Sequence, residues 1–169
     1  MPMSENEILF STLAQSSPDC IKLFDTKGKL LFMNKSGLEE HGYKSLEEAQ
    51  KGDFLDSMIP ESQTCFKEAF AAALSGDDKV SIEIQHKPEK STREFCLETV
   101  TPVYGKEGDL SGAMGVSRDI SDRKRKEKEL QEKFCELEKA NNLMVGRELK
   151  MIELKKEIET LRQKIPSGQ

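Results

Sequence analysis

The chain has 169 residues, of which 36% are hydrophobic and 34% are charged, and its formal net charge is −5. A chain of this composition can bury one core of roughly 100 to 120 residues, so the remainder must find burial elsewhere. Residues 1–120 hold 13 basic against 21 acidic side chains, whereas residues 121–169 hold 13 against 10. The acidic body disfavours nonspecific nucleic-acid binding, and we expect no nucleic-acid partner.

The sequence also argues against a membrane protein and against a disulfide-stabilised protein. No run of 18 apolar residues occurs, and the first residues lack the layout of a secretory signal, so we expect a cytoplasmic protein without membrane insertion. The four cysteines show no paired spacing, which argues against a zinc site or a disulfide scaffold. They are Cys20, Cys65, Cys96 and Cys135.

The first 18 residues are predicted to form an N-terminal cap helix. Ser4-Glu5-Asn6-Glu7 fits a capping box, in which the hydroxyl and the carboxylate satisfy exposed backbone N–H groups. The segment Ser16-Ser17-Pro18 ends this helix.

Residues 19–120 are predicted to form one α+β domain. Its clearest element is a hairpin with a tight turn around Gly28. A longer helix begins at Pro60, carries an apolar stripe and ends before Gly76. Strands and helices segregated in this way favour an antiparallel sheet with helices on one face. The predicted strands are 19–25, 30–34, 80–87, 93–104 and 110–118, and the predicted helices are 35–41, 45–50 and 60–74.

Residues 121–165 contain no proline and are predicted to form a coiled-coil signalling helix roughly 67 Å long, with a tail at 166–169. A buried Asn141 would favour one register and a parallel dimer at some cost in stability. Near Gly146 the pattern slips by the equivalent of three inserted residues, which predicts either a local twist point or a tolerated irregularity. The predicted dimer seam comprises Leu130, Phe134, Leu137, Asn141, Met144, Met151, Leu154, Ile158, Leu161 and Ile165.

Two motifs resemble the PAS/PAC family of sensor domains. The first is Ser17-Pro18-Asp19-x-Ile21-x-Leu23-Phe24-Asp25-x-x-Gly28-Lys29-Leu30-x-Phe32-x-Asn34-x-x-Gly37, continued by Gly42-Tyr43. The second is Gly115-Val116-x-Arg118-Asp119-Ile120-Ser121-Asp122-Arg123-Lys124. The resemblance covers roughly residues 5–125. It implies a five-stranded antiparallel sheet in the order 2-1-5-4-3, helices enclosing a small cavity, and a role in sensing ligands, redox state or light, or in dimerisation.

In that family a triplet like Asp119-Ile120-Ser121 lies where the last strand passes into the signalling helix. Asp and Ser also suit an ordinary helix start, because both accept hydrogen bonds from exposed N–H groups. A signal junction and a simple N-terminal cap are therefore both compatible with these residues.

The cofactor signatures of the family are missing. Flavin-binding members carry a cysteine within an Asn-Cys-Arg-Phe-Leu-Gln motif that has no match here, and the helix from Pro60 has no histidine for heme. The cofactor is therefore unknown. His86 could bind a metal or respond to pH, but without a second candidate ligand it is better interpreted as a hydrogen-bonded histidine, and no metal is expected.

Small side chains on the last predicted strand, at Ser111, Ala113, Gly115 and Ser117, either make room for a ligand or let a helix pack closely. A bound ligand would lie between apolar walls with a polar anchor. The candidate pocket residues are Met58, Phe66, Phe70, His86, Phe95, Leu97 and Ser117.

Catalysis is not expected. The adjacent pairs Glu39-Glu40 and Glu47-Glu48 diverge on a helix, and no glycine-rich phosphate loop occurs. PAS modules often precede histidine kinases, but residues 121–169 contain no histidine to accept a phosphoryl group. The basic run at 123–126 suggests a DNA-binding zipper, which the glutamates directly after it make unfavourable.

These observations predict a PAS-type sensory module that belongs to a two-component system. It would form a homodimer through its C-terminal helix and relay ligand or redox state to an output partner, such as the remainder of a histidine kinase. The alternative is a structural dimerisation module that binds no small molecule.

Overall fold

The computed structural model describes residues 5–76 and 79–164. Five α-helices, five β-strands and one 3₁₀ turn occur in these ranges. Their order is α1 (Glu5–Ser16), β1 (Cys20–Asp25), β2 (Leu30–Met33), α2 (Lys35–Glu40), α3 (Leu46–Lys51), the 3₁₀ turn (Phe54–Ser57), α4 (Pro60–Leu74), β3 (Val80–Gln85), β4 (Phe95–Tyr104), β5 (Leu110–Asp119) and α5 (Ser121–Lys164). The predicted capping box begins at Ser4, and the last seam residue is Ile165; both residues lie outside the described ranges.

The five strands form one antiparallel sheet in the order β2-β1-β5-β4-β3. The fold class and strand order expected from the resemblance are therefore confirmed. The β1–β2 hairpin turns where the Asp25 carboxylate accepts the N–H groups of Lys27 at 2.9 Å and Lys29 at 2.8 Å. Gly28 takes a φ of 81° in this turn, a conformation that favours glycine.

Helices α2, α3 and α4 cover the face of the sheet where the core lies, whereas Phe10 of α1 packs against Phe32 on the opposite face. Helix α4 begins with Pro60 at its first turn and buries Phe66, Ala69 and Ala73 against β3, β4 and β5. Phe24 of β1 packs edge-on against the rings of Phe66 and Phe70. Burial of this apolar stripe stabilises the domain by about 25 cal/mol for each Å² of apolar surface removed from water.

The chain divides into two compact units, within residues 1–124 and 125–169. The first contains the sheet, the helices over it and the first residues of α5. Within the described ranges, no helix combines the length and the apolar character that crossing a membrane requires.

Candidate functional site

Three strands turn ionisable or polar side chains into the interior. Alternation along β1 buries Cys20, Lys22 and Phe24, while β4 buries Glu98 and β5 buries Ser117. Lys22 Nζ lies 3.0 Å from Glu98 Oε2, and each side chain is 1% exposed. A charged pair at this depth is tolerated because each charge neutralises the other.

Gly115 makes space for this pair. It lies opposite Lys22 in the β1–β5 register, and a Cβ atom at position 115 would come within 2.4 Å of Glu98 Oε1. Of the two roles predicted for the small residues of the last strand, this position therefore serves packing, and what it accommodates is the carboxylate of Glu98 instead of a helix.

A second buried acid, Glu40, lies at the end of α2. Its Oε2 is 3.0 Å from Arg93 Nη1, while Arg93 Nη2 donates to Pro18 O at 2.8 Å and to Ser36 Oγ at 2.9 Å. Arg93 thereby connects the segment before β4 to α2 and to the end of the N-terminal segment.

The other carboxylate oxygen of Glu40 faces a group of metal-ligating side chains. Glu40 Oε1 is 3.7 Å from Cys96 Sγ, 3.7 Å from His86 Nε2 and 3.9 Å from His41 Nε2. The two imidazole rings are edge-on, with centroids 5.5 Å apart. The expectation that His86 lacks a second candidate ligand is wrong, because folding brings together residues that are up to 56 positions apart in the sequence.

Burial determines the protonation of the two histidines. It lowers the pKa of His41 to about 3 and that of His86 to about 4, and the nearby positive charge of Lys22 acts in the same direction. Both imidazoles are therefore neutral near pH 7. For Lys22, burial acts to lower the pKa, but the Glu98 carboxylate outweighs burial, so the pKa is raised and the amine stays charged.

The pKa values of the two buried thiols and of Glu40 are raised. Burial raises the pKa of both Cys20 and Cys96 to about 12, so these thiols are protonated unless a metal ion displaces the proton. Burial also raises the pKa of Glu40, although Lys22 and Arg93 oppose that change.

An apolar cavity lies beside this polar group. Its volume is about 290 Å³. The rings of Phe24, Phe54, Phe66 and Phe70 form its walls and also pack on one another, with centroids 5.1–6.3 Å apart. The remaining lining residues are Lys27, Gly28, Leu55 and Lys67.

The candidate pocket residues fall into four places. Phe66 and Phe70 line the cavity. Met58 lies within the core, and His86 and Ser117 lie in the polar interior.

Phe95 and Leu97 were expected in the pocket but lie on the opposite face of the sheet. Cys96 and Glu98 are the residues of this stretch that face inward. Leu97 borders Val116 and Arg118 on the outer face. The prediction was wrong because it assigned the apolar residues to the interior, whereas Lys22 allows Glu98 to be buried there instead.

At the strand–helix junction, two side chains bond to the backbone. Asp119 Oδ1 accepts the N–H of Ser121 at 2.8 Å, as expected for a helix start. Ser121 Oγ instead accepts the N–H of Phe95 at 3.0 Å and donates to Phe95 O at 3.3 Å. Ile120 N also donates to Phe95 O at 2.9 Å, and the Ile120 side chain is only 7% exposed. Hydrogen bonds therefore connect the beginning of α5 to the beginning of β4.

The basic run after the junction also contacts the sheet. Arg123 Nη2 lies 2.8 Å from Glu83 Oε1, and Lys124 pairs with the other oxygen of Glu83. Two of these four basic side chains therefore have an acidic partner on β3.

Along α5, the apolar residues are exposed in the single chain. Leu130 is 70% exposed and Leu137 is 69% exposed, for example. The described members of the predicted seam are all exposed: Leu130, Phe134, Leu137, Asn141, Met144, Met151, Leu154, Ile158 and Leu161.

The charged interior was not predicted from the sequence. Lys22, Arg93 and Glu98 were not singled out, and Glu40 was considered only as one of an adjacent pair on a helix, although a signal was present in the strands. The period-2 alternation that places Phe24 in the core also places Lys22 there. His41 could not be found in this way, because it follows a short helix and its position depends on how α2 packs.

A family model described as PAS fold matches residues 14–125. A comparison with curated proteins finds no match. Among solved structures, similarity extends to the PAS domain of a protein from Colwellia psychrerythraea, with 22% identity and a TM-score of 0.55, over 68% of this chain and 97% of that one.

Two further structures have the same fold. A domain of a protein described as a light and redox sensing histidine kinase from Haloarcula marismortui has 19% identity and a TM-score of 0.52, over 68% of this chain and 99% of that one. VqmA from Vibrio cholerae, in a complex with ligand and DNA, has 17% identity and a TM-score of 0.58, over 72% of this chain and 53% of that one. The family match spans well over half of the sequence, and the strand order is the one that the resemblance implies. This chain belongs to the PAS fold family.

Proposed function

We propose that this chain is a sensory module in which a small apolar molecule occupies the cavity beside β1, and α5 passes the bound state to a partner. The observation that carries this proposal is the cavity of about 290 Å³, walled by four phenylalanine rings. Ligand sites are typically concave and mostly apolar, with a few polar groups that orient the ligand. The volume is near the lower end of such sites, which favours one small molecule.

The charges at the cavity favour a ligand with an anionic group. Lys27 and Lys67 are exposed and line the cavity together with the rings. No acidic residue belongs to the lining among the residues that the structure describes. An aromatic or aliphatic molecule carrying a carboxylate would place its apolar part against the rings and its charge near the two amines.

A series of contacts connects the cavity to α5. Phe24 lies in the cavity wall on β1, and β1 pairs with β5 along its whole length. Strand β5 ends at the Asp119-Ile120-Ser121 junction, where Ile120 and Ser121 form hydrogen bonds with Phe95 that hold the start of α5. A ligand that moves β1 would change the geometry of this junction, which supports a role in signal transfer.

The exposed apolar stripe of α5 supports a parallel homodimer. Its residues keep the 4-3-4-3 and 3-4-3-4 spacing of heptad seams. Pairing two copies would remove these side chains from water and place two sensory units side by side. The output would be a further domain or a separate protein, such as the kinase part of a sensor kinase. The cytoplasmic location stays a prediction.

Native mass spectrometry of freshly purified protein tests ligand binding. We expect an added small-molecule mass that disappears on denaturation. Leu55→Trp should reduce it by filling the cavity, whereas the matched change Leu97→Trp on the outer face should leave it in place. A wild-type protein that is folded, dimeric and free of any added mass would contradict the proposal and favour the structural dimerisation module.

A further inference from the structure

The polar interior contains a group of metal-ligating side chains separate from the apolar cavity. Glu40, His86 and Cys96 each direct one ligand atom at the other two, and these atoms all lie within 4.8 Å of one another. All three residues are buried. None of them lines the cavity that we assign to the small molecule.

The spacing suits a four-coordinate ion. Ligand atoms bound to zinc at about 2.0–2.3 Å in a tetrahedron lie about 3.3–3.8 Å from one another. Glu40 Oε1 is 3.7 Å from His86 Nε2 and 3.7 Å from Cys96 Sγ. Because His86 Nε2 and Cys96 Sγ also lie within 4.8 Å of each other, these three side chains could close on an ion by small movements.

The hydrogen bonds of Ser57 determine which nitrogen of His86 carries the proton. Ser57 Oγ donates to Phe54 O at 2.6 Å, which uses its only proton. The same oxygen is 3.2 Å from His86 Nδ1, so it accepts a hydrogen bond from a protonated Nδ1. Nε2 of the neutral ring then directs a lone pair at the Glu40 carboxylate. A lone pair facing a carboxylate oxygen is repulsive unless a cation or proton lies between them.

His41 supplies a fourth candidate ligand. Its side chain is 1% exposed, and neither ring nitrogen has a hydrogen-bond partner among the described residues. Buried polar atoms normally have a partner, so an unpartnered imidazole calls for an explanation. His41 Nε2 lies 3.9 Å from Glu40 Oε1. The ligand atoms of Glu40, His41 and Cys20 form a second close group, so the His41 ring would have to move towards His86 and Cys96 to complete the coordination.

The charges in the interior are compatible with a divalent ion. The carboxylate of Glu40 and a thiolate of Cys96 together neutralise two positive charges. Lys22 is already neutralised by Glu98 at 3.0 Å. Arg93 holds the second oxygen of Glu40 at 3.0 Å, as outer-shell groups hold metal-binding carboxylates in known sites.

We propose that this chain binds one divalent transition-metal ion of the zinc class through Glu40, His86 and Cys96, with His41 as the fourth ligand. The mixture of imidazole nitrogen, thiolate sulfur and carboxylate oxygen suits zinc or cobalt better than magnesium or calcium. Binding releases the thiol proton of Cys96 to solvent, because a coordinated thiol is deprotonated. The ion would join the end of α2 to the β3–β4 segment.

Cobalt binding to the full-length protein tests this proposal. The exposed thiols are first removed in a Cys65→Ser, Cys135→Ser background, and bound metal is stripped with a chelator. Addition of Co²⁺ should give one equivalent of bound ion, visible tetrahedral bands and a near-ultraviolet thiolate band, all of which Zn²⁺ should displace. Plasma mass spectrometry of the dialysed protein should give the same stoichiometry.

Cys96→Ser should abolish the thiolate band and weaken Co²⁺ binding by at least about 100-fold, since even outer-shell changes cost 10–100-fold. Ser57→Ala, which retains every ligand, should weaken binding by about 10–100-fold. Circular dichroism checks that each variant is folded. A folded parent that binds no Co²⁺ would overturn the proposal, and so would binding that is unchanged in folded Cys96→Ser. In the first case a proton, and not a metal, would separate Glu40 from its neighbours; in the second, the ion would bind through other residues.

Discussion

Lys22 and Glu98 are the buried charges on which the interior depends. Both are 1% exposed, and each is the nearest opposite charge of the other, at 3.0 Å. Lys22 Nζ also lies 5.4 Å from the Phe54 ring and 5.9 Å from the Phe66 ring, so the amine contacts the aromatic walls of the cavity. The pair therefore connects the polar interior to the candidate ligand site.

Breaking this pair should destabilise the domain strongly. Lys22→Ala leaves Glu98 charged and buried, so we expect the free energy of unfolding to fall by about 3–5 kcal/mol. The double change Lys22→Met with Glu98→Leu should recover most of the loss, because no isolated charge remains. Urea denaturation measures both values. Lys35→Ala, in the exposed pair with Glu39, is the control and should change stability by less than about 0.5 kcal/mol. Equal effects of the two lysine changes would contradict this account.

Two glycines should respond in opposite ways to alanine. Gly115→Ala places a methyl group 2.4 Å from Glu98 Oε1 and should cost about 1–3 kcal/mol, because the buried pair must shift. Gly146→Ala on α5 meets no atom within 4 Å and should stabilise its helix by about 0.5–1 kcal/mol. Thermal denaturation of both variants distinguishes the effects. A neutral Gly115→Ala would show that Glu98 moves freely.

At the scale of elements, the strands and the long helices were well predicted. The hairpin around Gly28, helix α4 and strands β3 to β5 all lie within a few residues of their expected bounds. These elements carry their own periodicity and turn residues, which are local signals. The 3₁₀ turn at Phe54–Ser57 was not predicted, because four residues are too few to show a period.

The junction between β5 and α5 is the element most open to a direct test. Ser121→Ala removes the acceptor of the Phe95 N–H and should cost about 1–3 kcal/mol. Hydrogen exchange should show faster exchange at Phe95 and in the first turn of α5. Ser121→Thr retains the hydroxyl and should restore protection, while Ser111→Ala at an exposed position of β5 should have no effect. Unchanged exchange at Phe95 in Ser121→Ala would rule out a role of Ser121 in holding α5 to β4.

At the scale of the whole molecule, dimerisation through α5 stays a prediction. Asn141→Leu should make the dimer more stable but less specific in register or oligomer number, because a polar residue at this type of position favours one pairing at a cost in stability. Leu137→Glu should dissociate it by placing like charges in the seam. Sedimentation velocity measures both, with Lys139→Glu, outside the seam, as the control. A wild-type chain that sediments as a monomer at micromolar concentration would contradict the seam.

Local signals in the sequence were enough to predict the order of helices and strands, the antiparallel sheet and the long C-terminal helix. Each depends on periodicity, turn residues or a motif within a short stretch of chain. The set of side chains that share the interior depends instead on contacts between segments that are distant in the sequence. Glu40 and Cys96 lie 56 residues apart, and Phe95 and Leu97 exchange faces with Cys96 and Glu98 because Lys22 neutralises a buried carboxylate. Hydrophobicity cannot predict such an arrangement, since the cost of burying a charge depends on a partner supplied by another strand.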